Sequence, residues 1–417
     1  MAEATGQTIP AESGQRPWAR ASQRIGTLVG ALLCWGLVMV VSAESSGVDT
    51  AALTDVLRRR IAWVAAGGLA FAAGAILNHS VWRRHNLLIL GLAFLTLSLV
   101  LIPGVGHAVN GARRWIRFGG IGFQPSEFAK IAVLIWLAAY CERHMDGRRM
   151  RRATTGFLVP LIVVVGACAL VLLEPDFGTS VIIASISVGV LLIAGTRFLY
   201  VGLAGLAALP LAHALVFNVP YRLRRVTAFL DPWADPRGAG YQLVQSLIAL
   251  GSGGVSGKGL GSGSMGFLPA ARNDFIFSII GEQLGFLGST VVILAFLWLV
   301  WEGVGVALRA RDNFGFVLAL GLSLLIGLQA AVHIAVVTGS VPTKGLSLPF
   351  ISAGGSSLFF TLWAAGMLVN IARSEESPDE IELPNWNDDR PQYERFAHAC
   401  YHNVVSGICH RFAPDNE

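Results

Sequence analysis

Residues 238–285 read GAGYQLVQSLIALGSGGVSGKGLGSGSMGFLPAARNDFIFSIIGEQLG, a polar, glycine-rich stretch between two apolar runs. These runs, 198–217 and 286–306, are each long enough to cross a bilayer, which takes about 20 residues. Loops longer than about 15 residues are usually functional or disordered. Apolar residues recur at helical spacing from Leu243 to Leu250, which predicts an amphipathic helix on the membrane rather than disorder.

The composition is that of an integral membrane protein. Of the 417 residues, 54% are hydrophobic and 14% are charged, against about 25% charged in soluble proteins. Mean hydropathy is +0.60. Because a bilayer offers no water to backbone groups, spans are helices or closed barrels, and continuous apolar runs favour helices. The formal charge of +5 is too small to indicate a nucleic-acid-binding protein.

About ten apolar runs predict an all-α integral membrane protein with a large extracytoplasmic loop between spans seven and eight. The chain then divides into a cytoplasmic N-terminal segment (1–24), a polytopic membrane domain (25–373) and a cytoplasmic tail (374–417). The His and Cys residues of the tail lack the spacing of a standard zinc module, so a solvated or partner-binding tail is favoured. The predicted spans are 25–43, 61–78, 87–102, 126–141, 156–173, 177–195, 198–217, 285–305, 314–338 and 355–372.

Arginines in short loops predict the orientation. The densest cluster, between residues 143 and 152, belongs in the cytoplasm, and with ten spans both termini lie there too. Arg58–Arg60 fall on the outer side and are interpreted as interface anchors. The remaining outer cations, among them Arg222 and Arg225, favour a site for an anionic substrate, because pyrophosphate recognition requires paired positive charge.

Polar patches at span ends supply the candidate site residues. The glycines and prolines of residues 339–357 predict non-helical backbone lining a cavity. Capping of a helix explains one carboxylate of the 174–179 patch, but not obviously both. Asp274 is the candidate base, since the apolar run after it would raise its pKa by desolvation. The alternative is that Asp274 is the N-cap of the following helix. The candidate substrate-binding residues are Arg113, Arg114, Arg117, Glu174, Asp176, Lys258, Arg272, Glu282, Lys344 and Ser356.

Five blocks, in order, carry a resemblance to a known family. They are GARRWIRFGGIGFQPSEFAK (111–130), LLEPDFGTS (172–180), DPWADPRGAGYQLVQSLIALGSGGVSGKGLG (231–261), FLPAARNDFIFSIIGEQLGFLG (267–288) and VPTKGLSLPFISAGGSS (341–357). With these blocks the chain resembles the SEDS family, the shape, elongation, division and sporulation proteins. It resembles the division branch, FtsW, more than the elongation branch, RodA.

The resemblance implies a peptidoglycan glycosyltransferase that polymerises lipid II on the outer face of the cytoplasmic (inner) membrane at the division septum. It implies a class B penicillin-binding protein and other division proteins as partners. The family's essential tDFIF aspartate corresponds to Asp274, while Ala270 stands where the LPEaHTD motif has glutamate. Cations would hold the leaving pyrophosphate, with Mg²⁺ or Mn²⁺ as a candidate cofactor.

Two other classes of function stay open at this point. Many spans interrupted by glycine, proline and polar groups are also typical of a transporter that flips the lipid-linked precursor, although the spans show no internal repeat. A non-catalytic division scaffold, with a tail that recruits partners, is the other alternative. Chain growth from lipid II by the purified protein distinguishes the polymerase from both.

Overall fold

The computed structural model describes residues 19–45, 50–109, 112–118, 121–145, 149–262 and 271–374. Most of the predicted N-terminal segment and the tail beyond residue 374 lie outside the described residues. The same holds for Arg148 of the arginine cluster, for Ala270 and for the side chain of Arg272.

The described chain is mostly helical. In order, its helices are α1 (Ala19–Ser45), α2 (Thr50–Ile76), α3 (His79–Arg84), α4 (Asn86–Leu101), α5 (Pro125–His144), α6 (Val159–Leu173), α7 (Phe177–Ile193), α8 (Phe198–Phe217), α9 (Pro220–Leu230), α10 (Tyr241–Ser252), α11 (Ala271–Asp274), α12 (Ile276–Arg309), α13 (Asn313–Val337) and α14 (Gly355–Ser374). A π-helical turn, Thr154–Leu158, leads into α6. The helix α10 is the amphipathic helix predicted from the opening stretch.

Ten of these helices match the ten predicted spans. By length and composition, α1, α12, α13, α14 and α6 with its π-helical turn can cross a membrane, and α4, α7 and α8 are shorter apolar helices. The remaining two, α2 and α5, also carry charged residues, and the contacts that accommodate these residues are described below. The predicted multi-pass helical fold is therefore confirmed.

Charges within α5 are paired inside the protein. Nearly all of α5 is buried, including Glu127 and Lys130 in its first two turns. Nζ of Lys130 lies 2.9 Å from Oε1 of Glu127 and 2.9 Å from Oε1 of Gln329. Ionisable groups at this depth are costly unless they are paired, and this pairing lets α5 serve as a central span.

The loop between α4 and α5 folds into a small antiparallel sheet, which was not predicted from the sequence. Its strands are β1 (Gly106–Val109), β2 (Ala112–Phe118) and β3 (Ile121–Phe123), in the order β1-β2-β3. His107 pairs with Trp115 and Ala108 with Arg113, so Arg114 is an extra, unpaired residue of β2. Such a β-bulge redirects the side chain that it leaves out of register.

The loops predicted for the outer face meet at one end of the bundle, which we call the loop end. Gln124 joins three of them. Its backbone N–H donates to Oγ of Ser356 at 3.1 Å, and its Nε2 donates to Oδ2 of Asp176 at 3.2 Å. At the opposite end, Arg83 pairs with Glu142 at 2.8 Å and with Asp312 at 3.7 Å. Successive spans thus alternate in direction, as ten crossings require.

Helices α2 and α14 form the most extensive helix–helix interface of the described chain. Glycines allow their backbones to approach closely. A Cβ atom at Gly74 would lie 2.7 Å from the carbonyl oxygen of Trp363, and one at Gly366 would lie 2.2 Å from that of Phe71. Small residues serve the same purpose wherever membrane helices pack without a hydrophobic driving force.

We expect Gly74→Ala to destabilise the protein, because its methyl group would meet backbone atoms that cannot move aside. Overpacking of this kind typically costs about 1–3 kcal/mol. Gly68→Ala in the same helix is the matched control, since a Cβ atom there meets nothing within 4 Å. Alanine favours a helix over glycine by roughly 0.5–1 kcal/mol, so the control should be neutral or slightly stabilised. Equal melting temperatures of the two variants in detergent would contradict the close approach.

Candidate active site

The turn between α6 and α7 gives its two carboxylates different roles. Asp176 is the N-cap of α7, because its Oδ1 accepts the backbone N–H of Thr179 at 3.2 Å and its Oδ2 accepts the Thr179 hydroxyl at 2.9 Å. Glu174 ends α6, and its side chain caps no helix. Capping thus explains one carboxylate and not the other, as the sequence predicted.

Glu174 is fully buried, and neither of its carboxyl oxygens has a hydrogen-bond partner among the described residues. Burial raises the pKa of Glu174 to about 9; the nearby Asp176 raises it further and Arg114 opposes the rise. Near pH 7 this side chain is therefore protonated. It contributes no negative charge to the site.

Arg114 is directed toward the same turn by the β-bulge. Its Nε donates to the carbonyl oxygen of Glu174 at 3.0 Å, and its Nη2 donates to that of Pro175. Arg113 and Arg117 in the same strand are exposed. The three arginines, which the sequence suggested as one group, are thus separated, and Arg114 alone of them contacts the turn.

Two cations lie over the ring of Phe177, the first residue of α7. Nζ of Lys344 is 4.4 Å from the ring centroid and Cζ of Arg222 is 5.5 Å from it, both within the range of a cation–π contact, about 6 Å. Arg225, in the next turn of α9, donates from Nη1 to the carbonyl oxygen of Thr343 at 2.9 Å. The amphipathic helix α9 therefore brings two arginines to the site.

Asp274, the predicted base, ends α11 and lies half-buried among these charges. Burial raises the pKa of Asp274 to about 6; Arg225 and Arg114 oppose the rise, and Asp176 adds to it. The predicted desolvation is thus confirmed. The N-cap alternative is wrong, because Phe275 occupies the N-cap of α12 and no side chain caps that helix.

Glycine leaves the Asp274 carboxylate open on one side. A Cβ atom at Gly345 would lie 2.8 Å from Oδ2 of Asp274, and Gly345 itself is exposed. Any side chain at this position would press on the carboxylate.

The residues that the structure brings together are called the charged cluster below: Arg114, Glu174, Asp176, Arg222, Arg225, Asp274 and Lys344.

Three other predicted site residues lie in separate contacts. Nζ of Lys258 pairs with Oε1 of the buried Glu282 at 3.0 Å. This pair anchors the glycine-rich loop against α12 where the helix is kinked at Gly285 (φ 67°). Ser356 is buried and binds the backbone of Gln124. For these residues, and for Arg113, Arg117 and Arg272, substrate binding stays a prediction.

Arg60 is not the interface anchor that the sequence suggested. It is buried in the loop end, where its Nη1 donates to the carbonyl oxygen of Ser352 at 2.6 Å and its Nη2 to that of Ile351 at 3.1 Å. A run of three arginines in a sequence does not indicate which one turns inward. For Arg222 and Arg225 a signal existed, since the predicted topology already placed them among the outer cations.

The charged cluster offers few ligands for a divalent cation. In the described part of the chain, no group of three or more His, Cys, Asp or Glu side chains is arranged so that it could hold a metal ion. Both oxygens of Asp176 already accept hydrogen bonds, and Glu174 is protonated near pH 7. Asp274 remains as a possible protein ligand. Such a set suits Mg²⁺ held mainly by substrate phosphates and water, a common arrangement for this ion.

Comparison with known proteins places the chain in a family. Residues 23–377 match the model of the FtsW, RodA and SpoVE family, described as cell cycle protein. The chain belongs to this family. A probable peptidoglycan glycosyltransferase FtsW of Geobacter sulfurreducens is 45% identical over 349 residues, 82% of this chain and 92% of that protein. Stage V sporulation protein E of Bacillus subtilis is 39% identical over 350 residues, 82% of this chain and 94% of that protein.

Solved structures of family members share the fold. A chain of a peptidoglycan synthase complex, solved to show the structural coordination of polymerization and crosslinking, is 29% identical, with a TM-score of 0.70; the match covers 84% of this chain and 97% of that one. The crystal structure of Thermus thermophilus rod shape determining protein RodA is 25% identical, with a TM-score of 0.63, over 85% and 97% of the two chains. The predicted membership of the SEDS family is confirmed, with FtsW-like relatives.

The pKa of Glu174 predicts a pH dependence of stability. Its pKa in the folded protein, about 9, is above the ordinary value of 4.5, so between these two pH values the folded state binds more protons than the unfolded state. Stability therefore falls as the pH rises through this window, by at most about 1.4 kcal/mol per pH unit.

We expect Glu174→Gln to flatten the decline in melting temperature between pH 6 and 9, because glutamine cannot titrate. Glu142→Gln at the opposite end of the bundle is the control, and should keep the slope of the parent protein. If the Glu174→Gln slope equals that of the parent, the glutamate is not held neutral.

Proposed function

We propose that the chain is a peptidoglycan glycosyltransferase that polymerises lipid II into glycan strands during cell division. Asp274 carries the proposal. It is a half-buried carboxylate that lies open at Gly345, next to the arginines of the charged cluster, with no hydrogen-bond partner among the described residues. The names of the FtsW relatives support the reaction class.

The proposed reaction joins the C4 hydroxyl of the acceptor sugar to the anomeric carbon of the donor. Undecaprenyl pyrophosphate leaves with the bonding electron pair. The donor linkage is α and the product is β, so a single displacement with inversion suffices. Asp274 takes the proton of the hydroxyl as its oxygen attacks. A positioned base typically contributes about 10²- to 10⁴-fold to the rate.

The cations of the cluster match the charge of the leaving group. Arg114, Arg222, Arg225 and Lys344 outnumber the carboxylates of Asp176 and Asp274, and protonation of Glu174 makes the positive excess larger. Preorganised charges in a partly desolvated site stabilise charge that develops in a transition state. A Mg²⁺ or Mn²⁺ ion carried by the pyrophosphate would add to this stabilisation and is proposed as the cofactor.

Partner, location and orientation belong to the same proposal. A class B penicillin-binding protein is the proposed partner, supported by the structural likeness to a chain of the synthase complex that coordinates polymerization and crosslinking. The proposed location is the septal cytoplasmic membrane, together with other division proteins. Both termini are proposed to lie in the cytoplasm and the loop end outside.

A transporter of the lipid-linked precursor and a non-catalytic scaffold are the competing functions. Neither requires a half-buried carboxylate that has one open side and lies beside several cations. Purified protein with its partner decides among the three. Glycan chains formed from lipid II support the polymerase, and lipid movement without chain growth supports the transporter.

We expect Asp274→Asn to lower the polymerisation rate by roughly 10²- to 10⁴-fold, because the amide cannot accept a proton. In the parent, activity should rise with pH through about 6, as Asp274 becomes ionised. The residual activity of the variant should lack that rise. Asp235→Asn, in an exposed part of the same loop, is the control. Ordinary chain growth by Asp274→Asn would remove Asp274 from the role of base.

The orientation can be tested with a matched pair of cysteines. Ala234 lies exposed at the loop end and Ala153 lies exposed at the opposite end. In a background without the five native cysteines, a membrane-impermeant maleimide should label Ala234→Cys in intact cells but not Ala153→Cys. Both should be labelled after the cells are opened. The reverse pattern would overturn the proposed orientation.

A further inference from the structure

We propose that Arg60 and Ser352 are positioning residues that hold Asp274 in place through the turn at residues 350–352. The inference rests on the proposed function, because it assigns how the base of that reaction is oriented. Neither residue touches the Asp274 carboxylate. A series of hydrogen bonds leads instead from α2 to the backbone beside Asp274.

The first link joins Arg60 to the turn. Three consecutive carbonyl oxygens accept hydrogen bonds from its guanidinium group: those of Ser352 at 2.6 Å, Ile351 at 3.1 Å and Phe350 at 3.4 Å. Arg60 is buried, and the partners of its guanidinium group among the described residues are carbonyl oxygens rather than carboxylates. Its charge is therefore balanced by the dipoles of these carbonyl groups. A planar guanidinium can bind several acceptors at fixed angles, which a lysine ammonium cannot do.

The turn requires such a support. Phe350 has a φ of 63°, in the left-handed region that residues other than glycine rarely adopt. Strained conformations of this kind persist where the surrounding structure determines them, and they cluster at functional sites. Arg60 contacts the carbonyl of the strained residue and the two that follow.

The second link is Ser352, which connects the turn to the site. Its hydroxyl accepts the backbone N–H of Leu348 at 2.7 Å and donates to the carbonyl oxygen of Asn273 at 2.8 Å. Asn273 immediately precedes Asp274. Ser352 therefore ties the backbone beside Asp274 to the turn, in addition to its covalent continuation into α12.

The arrangement has a direct consequence for the base. The turn and Gly345 belong to one segment, between α13 and α14, and Gly345 borders the Asp274 carboxylate. The turn thus sets both the position of Asp274 and the opening beside it. Displacement of a catalytic group by about 1 Å can cost roughly 100-fold in rate.

The test compares Arg60→Gln and Ser352→Ala with matched controls in the full chain, purified with its partner. Arg59→Gln removes the exposed neighbouring arginine, and Ser323→Ala removes a buried hydroxyl whose hydrogen bond among the described residues is to Ala319 of its own helix. We expect each test variant to lower kcat for lipid II polymerisation by about 10- to 100-fold with KM little changed. The double variant should lose little more than the worse single one, since both act through one turn. Ser352→Thr, which keeps the hydroxyl, should recover part of the rate.

A second measurement does not depend on activity. In the background without native cysteines, Asp274→Cys reports its accessibility through the rate of maleimide labelling in detergent. We expect Arg60→Gln and Ser352→Ala to change that rate by about 3-fold or more, and the controls to leave it unchanged. Should Arg60→Gln fail to purify as a single species, Ser352→Ala alone decides.

The outcomes separate this inference from the proposed function. Unchanged labelling in both test variants, or additive losses in the double variant, would overturn the positioning role. Ordinary polymerisation by Asp274→Asn would instead refute the base assignment. The labelling result would then still show whether Arg60 and Ser352 place residue 274.

Discussion

Buried backbone carbonyls between α13 and α14 need hydrogen-bond donors, and much of the loop end is arranged to supply them. An unpaired backbone group at this depth costs several kcal/mol, so non-helical backbone persists only where protein groups or water satisfy it. His333 donates from Nδ1 to the carbonyl of Leu346 at 2.6 Å, and Gln329 donates from Nε2 to that of Ser347 at 3.0 Å. Arg225 donates to the carbonyl of Thr343, and Arg60 donates to the carbonyls of the turn at residues 350–352. Helices α2, α9 and α13 thus share one irregular segment, and its shape depends on how they pack.

The electrostatics of the site follow from that arrangement. The same segment carries Lys344 into the charged cluster, where burial lowers its pKa while Asp176 opposes the change. Glu174 lies two residues before Asp176. It is neutral near pH 7 because burial removes water from around its carboxyl group. Asp274 has a pKa of about 6, because burial raises it and the nearby arginines oppose the rise. Glu174 and Asp274 therefore hold their protons with different strength, and Asp274, which lies open at Gly345, has the pKa nearer to 7.

The sequence predicted which residues form this site better than it predicted which groups those residues contact. Continuous apolar runs predict the spans because the bilayer imposes their length, and the polar blocks between them stand out by contrast. Arg114 differs from Arg113 and Arg117 only through a β-bulge, which depends on the register with β1 and has no local signature. Arg60 shares its run with Arg58 and Arg59, and only the carbonyls of a segment some 290 residues away select it. The roles of Glu174 and Asp176 diverge because one of them follows a helix and the other begins the next. Long-range hydrogen bonding and burial decide which of several similar residues takes each role, and neither can be predicted from the residues next to it in the sequence.

The face of Phe177 has a consequence for turnover. Lys344 and Arg222 approach one aromatic ring, and their like charges would repel each other in water. The ring quadrupole attracts each of them and so offsets part of this repulsion in the resting protein. Under the proposed function, an incoming diphosphate would meet a pair of cations that already lie together. These two cations are thus placed when the chain folds, and an aliphatic side chain in place of Phe177 would remove the attraction that holds them on one ring.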